Sequence, residues 1–163
     1  MSATLGSSQS RPQLALIKCL SFWFAPQTKS LTCAALRSMV KAVPLPGHAG
    51  TVECLAFAPR GDLLASGSGD RRIKLWQPGT GETIATLAGH AKFVKALTFS
   101  PDAARLASGS YDTTIRVWDV QTLDELEVIR GHENTVYGIG FSHDGSRLVS
   151  GSFDRTIKIW RKI

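Results

Sequence analysis

The chain has 163 residues, of which 43% are hydrophobic and 20% charged, a composition that supports a buried core and excludes a chain that is disordered throughout. No run of 18 apolar residues occurs, so the sequence contains no candidate for a membrane-spanning helix. Three cysteines (Cys19, Cys33, Cys54) without a C-x-x-C pair disfavour a disulfide framework and a zinc site, and they fit a reducing compartment.

The formal net charge of +6 is unevenly distributed along the chain. Residues 1–46 contain five basic residues and no acidic one, whereas residues 47–163 contain 14 basic and 13 acidic residues. The basic excess therefore belongs to an N-terminal extension, and the body of the chain is nearly neutral. This distribution disfavours nucleic-acid binding by the chain as a whole. Contact with nucleic acid or an acidic membrane through residues 11–41 stays open as an alternative.

Residues 1–41 of this extension allow three interpretations. Their serines and threonines and their lack of acidic residues are typical of an import peptide, although arginine is sparse. They also fit a degenerate β unit, because Ile17–Phe22 is similar in pattern to Val52–Phe57, the first predicted strand of the body. We favour a poorly ordered extension, because the segment contains no complete pattern of either kind.

The body of the chain begins with short apolar runs separated by turn signals. Val52–Phe57 predicts a strand, and a Pro-Arg-Gly-Asp turn follows it. Leu63–Ser68 predicts a second strand, and Ile73–Trp76 predicts a third after a tight turn at Gly-Asp-Arg. A Pro-Gly-Thr-Gly turn then leads into a fourth strand at Thr83–Leu87. The pattern indicates an all-β protein.

This four-strand pattern recurs with a period of 42 residues. Residues 47–77, 89–119 and 131–161 align without a gap, and 11 of the 31 aligned columns are identical in all three copies. The identical columns include a Gly-His pair, an S-G-S-x-D turn and a terminal tryptophan. One such unit cannot bury both faces of its sheet, so the units must stack.

The Gly-His pair, the S-G-S-x-D turn and the terminal Trp-Asp resemble those of the WD-repeat β-propeller family. Trp-Asp is complete at Trp118-Asp119 and reads Trp76-Gln77 and Trp160-Arg161 in the other copies. The resemblance covers residues 43–163 and implies an all-β fold of four-stranded antiparallel blades. It predicts a repeat domain at residues 42–163, with blades at about 47–88, 89–130 and 131–163 and the fourth strand of the last one missing.

The resemblance also implies a structural network in each blade. The histidine of the Gly-His pair bonds the turn aspartate and a strand serine, and that serine meets the ring nitrogen of the tryptophan. Histidine, aspartate and serine together also resemble a hydrolytic triad. A set that repeats in every unit is typical of structure, however, so we expect no catalytic residue, and we expect His143 to lie in an exposed turn. The three networks are His48, Asp70, Ser66 and Trp76; His90, Asp112, Ser108 and Trp118; and His132, Asp154, Ser150 and Trp160.

Family members bind partners on one rim, at three positions per blade: the two that flank the first-strand valine and the one before the turn aspartate. Four of the nine residues at these positions are aromatic, whereas the whole chain is 8% aromatic. Exposed aromatic side chains are favoured anchors of interfaces. Gly69, Thr51 and Thr135 complete the nine, and the candidates for partner binding are Glu53, Phe93, Lys95, Tyr111, Tyr137 and Phe153.

Three blades cannot close a ring, since propellers close with four to eight. We expect the open ends to expose apolar sheet faces, and Ala42–Leu45 is placed to complete the third blade of a second chain in a closed six-blade dimer. A fragment that aggregates or needs a larger partner propeller is the competing expectation, and an open monomer is the third. The residues expected at the open ends are Leu55, Phe57, Ile73 and Leu75, or their third-copy equivalents Ile139, Phe141, Ile157 and Ile159.

The sequence therefore predicts a non-enzymatic scaffold that binds a protein or peptide on the blade rim, without a cofactor or a metal. A cytoplasmic or nuclear location is expected, and import into an organelle through residues 1–41 is the lesser alternative. Two other interpretations stay open. The chain is an incomplete propeller fragment of a larger gene product, or it is accessory to an enzyme whose catalytic domain is absent.

Overall fold

The computed structural model describes residues 30–33 and 43–161, with side chains from residue 44 onward. The described residues form thirteen β-strands and no helix. The strands are β1 (Ser30–Cys33), β2 (Val43–Pro46), β3 (Val52–Phe57), β4 (Leu64–Ser68), β5 (Arg72–Trp76), β6 (Thr83–Ala88), β7 (Val94–Phe99), β8 (Arg105–Ser110), β9 (Ile115–Asp119), β10 (Glu125–Ile129), β11 (Val136–Phe141), β12 (Arg147–Ser152) and β13 (Ile157–Arg161).

Eleven of these strands form three antiparallel sheets in simple chain order. Blade 1 is β3-β4-β5-β6, blade 2 is β7-β8-β9-β10, and blade 3 is β11-β12-β13, so the third sheet has three strands. The all-β class and the propeller-blade architecture predicted from the sequence are confirmed. The predicted strands of blade 1 agree with the observed ones to within one residue at each end.

The hydrophobic core lies between the sheets rather than within any one of them. Ile73 and Leu75 of the third strand of blade 1 pack against Phe99 and Leu106 of blade 2, and all four are buried. A second cluster places Ile115 and its neighbours in blade 2 against blade 3. Third strands therefore face the following blade, and first strands face the preceding one.

This polarity corrects the expectation that all four named apolar residues of blade 1 lie at an open end. Ile73 and Leu75 are buried between blades 1 and 2, whereas Leu55 and Phe57 are exposed on the opposite face. In blade 3 the third strand is the exposed one, at Ile157 and Ile159. The physical reason is the period-2 alternation of strands combined with a fixed order of blades.

Two glycines allow neighbouring blades to approach closely. A Cβ added at Gly67 would lie 2.7 Å from Val94 Cγ1, and one added at Gly109 would lie 2.7 Å from Val136 Cγ1. Both valines are the first-strand residues of the following blade and are fully buried. Glycine in the S-G-S motif is therefore required by the packing of one sheet on the next.

A small antiparallel pair precedes blade 1. Ser30 pairs with Pro46 and Leu31 with Leu45, and these pairs lie 42 residues before Arg72–Ala88 and Ile73–Leu87 in the pairing of β5 with β6. Strands β1 and β2 thus occupy the positions of the third and fourth strands of a preceding blade. Leu45 is buried against Leu64 and Trp76 of blade 1.

The segment that the sequence assigned to a poorly ordered extension thus includes one strand, β1. In the single chain, Val43–Pro46 pairs with this strand. The other interpretations of residues 1–29 and 34–41, including the import peptide, lie outside the described residues, as does Ala42. The basic residues counted at the sequence level lie there too.

We expect Gly109→Ala to lower the free energy of unfolding by about 1–3 kcal/mol, because the added methyl overpacks the contact with Val136. The matched control is Gly151→Ala, at the same position of blade 3, where an added Cβ meets nothing within 4 Å. Urea unfolding of both variants in dilute solution measures the difference. Equal midpoints for the two variants would contradict the close blade contact.

Candidate partner-binding rim

Each blade contains one chain of hydrogen-bonded side chains. In blade 1, His48 Nδ1 lies 2.8 Å from Asp70 Oδ2, and His48 Nε2 lies 2.7 Å from Ser66 Oγ. Trp76 Nε1 donates to the same serine oxygen at 2.7 Å. The equivalent distances are 2.7–2.9 Å in the other two blades, in the sets His90, Asp112, Ser108 and Trp118, and His132, Asp154, Ser150 and Trp160.

The chemistry of the end groups sets the direction of these bonds. An indole N–H only donates and a carboxylate only accepts. With a neutral imidazole, His48 Nδ1–H therefore donates to Asp70, and the Ser66 hydroxyl donates to Nε2 while it accepts from the indole of Trp76. Every polar side-chain atom of these four residues has a hydrogen-bond partner, although the histidine and the serine are buried. The arrangement satisfies groups whose burial would otherwise destabilise the fold.

The aspartate at the end of each chain also holds two loops together. Asp70 Oδ2 accepts from the backbone N–H of Ala49 at 2.9 Å, and Oδ1 accepts from that of Arg72 at 3.0 Å. The loop that enters the first strand is thereby joined to the turn between the second and third strands. In each blade the residue before the turn aspartate, such as Tyr111, bonds through its N–H to the carbonyl of the residue before the valine, such as Phe93.

These bonds affect the acidity of the aspartates. Burial alone raises the pKa of Asp112, but hydrogen bonds from His90 and Thr114 outweigh it and hold that pKa well below its usual value. The pKa of Asp70 is lowered in the same way, by bonds from His48 and two backbone groups that outweigh its burial. At neutral pH the carboxylates are ionised and remain acceptors.

A second local feature aims side chains onto the rim. The pairing of the first and second strands shifts register between Val52 and Cys54, and the same shift recurs 42 residues later at each following blade. Glu53, Lys95 and Tyr137 are the extra residues of these β-bulges. A bulge bends its strand and redirects the side chain of the extra residue. Sequence reasoning did not identify the bulges, because several other columns of the repeat also differ in every copy.

Four aromatic rings form a continuous row across blades 2 and 3. The ring centroids of Phe93 and Tyr111 are 5.8 Å apart, those of Tyr111 and Tyr137 are 5.9 Å apart, and those of Tyr137 and Phe153 are 6.1 Å apart. The two tyrosine hydroxyls are 3.0 Å apart, within hydrogen-bond distance. Phe93, Tyr137 and Phe153 are 45%, 47% and 68% exposed, and Tyr111 is half-buried.

An ion pair extends this row into blade 1. Lys95 Nζ lies 2.6 Å from Glu53 Oε2 and 5.0 Å from the ring centroid of Tyr111. Partial burial raises the pKa of Glu53, but hydrogen bonds from Lys95 and Thr51 and the charge of Lys95 outweigh it and lower that pKa. The positive charge of Lys95 and the negative charge of Glu53 thus neutralise each other within this surface.

The structure brings all six partner-binding candidates together in one surface, which we name the rim patch: Glu53, Phe93, Lys95, Tyr111, Tyr137 and Phe153. Three other rim positions do not contribute in the same way. Gly69 has no side chain, Thr51 donates to Glu53, and Thr135 is buried. His143 lies exposed in the turn after β11.

Three segments of the chain match the family described as WD domain, G-beta repeat, at residues 37–77, 81–119 and 123–161. Together these segments are more than half of the chain, which therefore belongs to the WD-repeat family. The part described by the structure, residues 30–33 and 43–161, contains no helix long and apolar enough to cross a membrane.

Several known proteins are similar to parts of this chain. Human serine-threonine kinase receptor-associated protein is 49% identical over 37 residues, which are 23% of this chain and 11% of that protein. Protein Mut11 of Chlamydomonas reinhardtii is 48% identical over 42 residues, 26% of this chain and 11% of that protein. A solved structure described as "Structure of U3-55K" matches with a TM-score of 0.70 and 29% identity, over 72% of this chain and 38% of that one. The match thus spans about a tenth of the two curated relatives.

We expect Ser108→Ala to lower the free energy of unfolding by about 1–3 kcal/mol for each buried group that it leaves without a partner, the indole N–H of Trp118 and Nε2 of His90. The control is Ser146→Ala, at an exposed turn position. Urea midpoints measure the difference. A Ser108→Ala variant as stable as the control would show that the network contributes nothing to the fold.

The lowered pKa of Asp112 makes stability depend on pH. The stabilisation is fully present above the usual aspartate value of 3.8 and is lost as the pH falls through the lower value of the folded state. We therefore expect Asp112→Asn to flatten the fall in unfolding free energy between about pH 5 and about pH 2. Urea unfolding at each pH is the measurement, with Asp62→Asn at an exposed loop as control. An unchanged slope in Asp112→Asn would contradict the assignment.

Proposed function

We propose that this chain is a non-catalytic scaffold that binds a protein or peptide segment on the rim patch, in the cytoplasm or the nucleus. The observation that supports it is the row of four contacting aromatic rings on the rim, three of which are about half-exposed or more. Membership of the WD-repeat family supports a scaffold that interacts with proteins. A similar protein is named for its association with a receptor.

The geometry of the row favours an extended segment as the ligand. Successive centroids are 5.8–6.1 Å apart, close to the roughly 6.6 Å between alternate side chains of an extended chain. Alternate side chains of such a segment can therefore lie over successive rings. The hydroxyls of Tyr111 and Tyr137 offer hydrogen-bonding groups along the same line. Aromatic side chains provide large contact areas with few rotatable bonds, which limits the entropy lost on binding.

The charges of the patch favour an apolar or aromatic ligand over a highly charged one. Lys95 is bonded to Glu53 and lies against the ring of Tyr111, so neither charge is free for a ligand unless the pair separates. Binding should therefore depend weakly on ionic strength. Nucleic acid would behave differently, because its affinity falls steeply with salt.

Selection from a displayed peptide library on the immobilised full chain tests this proposal. We expect selected peptides to bind the double variant Tyr137→Ala/Phe153→Ala at least about 30-fold more weakly, the cost of removing a strong interface anchor. The matched control is Leu126→Ala on β10, which removes an exposed apolar side chain away from the rim. Circular dichroism and urea midpoints verify that each variant folds.

The proposal is contradicted if the selected peptides bind the double variant and the parent equally well. It is also contradicted if binding is lost when salt is raised, because the matched charges of the patch then do not describe the site. Mutation of Glu53 to Gln distinguishes the role of the ion pair, since it frees Lys95 without removing an aromatic ring.

A further inference from the structure

Blade 3 carries a complete interblade face against which none of residues 30–33 and 43–161 packs. Ile157 and Ile159 on its third strand are 78% and 63% exposed, and Val149 on its second strand is 41% exposed. The residues at the same positions of the other two blades are 0–1% exposed, because the following blade covers them: Ala65, Ile73 and Leu75 in blade 1, and Ala107, Ile115 and Val117 in blade 2.

The glycine of the S-G-S motif gives the same result independently. Gly67 and Gly109 each lie against the first-strand valine of the next blade, so closely that an added Cβ would clash with it. Gly151 is the third glycine of this series, and nothing lies within 4 Å of its added Cβ. A concavity of about 400 Å³ opens at this point, and its lining includes Gly138, Gly151 and Ile157 together with Tyr137 and Phe153 of the rim patch. Blade 3 thus retains the socket for a valine that the single chain does not insert.

The opposite end of the chain carries the matching surface. Leu55 and Phe57 of β3 are 46% and 47% exposed, and they correspond to residues of β7 that pack against blade 1. Val52 occupies the position of the two valines that fill the glycine sockets, and it is half-buried. The first strand of blade 1 therefore presents the side chains that the face of blade 3 accepts.

The strands show the same complementarity. Blades 1 and 2 each have a fourth strand beside the third one, whereas within residues 30–33 and 43–161 the outer edge of β13 has no strand beside it. Strand β2 has the register of a fourth strand, and its partner β1 stands where a third strand would be. If β1 is left out, the strands of residues 43–161 number twelve, as many as three four-stranded blades contain.

We propose that two copies of this chain associate end to end, with blade 3 of each packed on blade 1 of the other. Strand β13 replaces β1 beside β2 of the second copy, and Ile157 lies opposite Leu45, as Ile73 lies opposite Leu87 in blade 1. Backbone pairing is conserved in this exchange, while both exposed faces become buried. The two junctions are equivalent by two-fold symmetry, and six blades are within the range of closed propellers.

Sedimentation of the full chain at tens of micromolar tests the association. We expect a species of twice the 17.6 kDa of the single chain. Ile157→Lys and Phe57→Lys each place a charge in both junctions and should weaken self-association at least about 100-fold, as burial of an unpaired charge requires. Leu126→Lys, which also charges an exposed leucine of β10, should associate like the parent.

Mixing the two variants tests the head-to-tail geometry. A pair formed by one Ile157→Lys chain and one Phe57→Lys chain contains one junction without any substitution and one with both. We therefore expect the mixture to associate more strongly than either variant alone, although less strongly than the parent. Circular dichroism of each variant establishes that the separate chains fold.

Three outcomes overturn the proposal. A parent that stays at 17.6 kDa would show that the two faces do not bind each other. Association of Phe57→Lys at the parent's strength would show that blade 1 takes no part. A mixture no stronger than its components would exclude the complementary junction. Neither substituted residue belongs to the rim patch, whereas Tyr137 and Phe153 of that patch also line the concavity beside the junction.

Discussion

The structure depends on the contact between one sheet and the next. Within the described residues, no blade has a core of its own, and the fully buried aliphatic side chains lie between blades. At each interface the backbone of the S-G-S glycine admits a valine, and a Cβ there would come within 2.7 Å of that valine. Sheets that approach so closely leave no room for variation, which is why the same residues recur at each copy.

The buried hydrogen bonds connect the apolar core to the loops of the rim. Each network begins at a tryptophan beside the apolar cluster and ends at an aspartate that holds two surface loops. Because the indole, hydroxyl and imidazole are buried, each lost partner destabilises the blade. The loops that carry the aromatic row are consequently attached to buried side chains of the blades.

The identical and the variable columns of the repeat perform separate tasks. The histidine, serine, aspartate and tryptophan are the same in all three copies, and they build the same geometry three times. The bulge position instead holds Glu53, Lys95 and Tyr137, and these three side chains bring an ion pair and an aromatic ring to one surface. The identical columns build the blades, and the variable columns set the chemistry of the rim patch.

The sequence by itself determined the repeat and the strands, because the 42-residue period and the turn residues are evident along the chain. The residues of each network and the rim positions were indicated by the resemblance to a family. The tertiary structure decided which apolar residues are covered. Ile73 and Ile157 occupy the same column, yet one is buried and the other exposed, because within the described residues a following blade covers only the first. The tertiary structure likewise decided that β1 pairs with β2 and that four rings contact one another, since both depend on how successive sheets are placed in space.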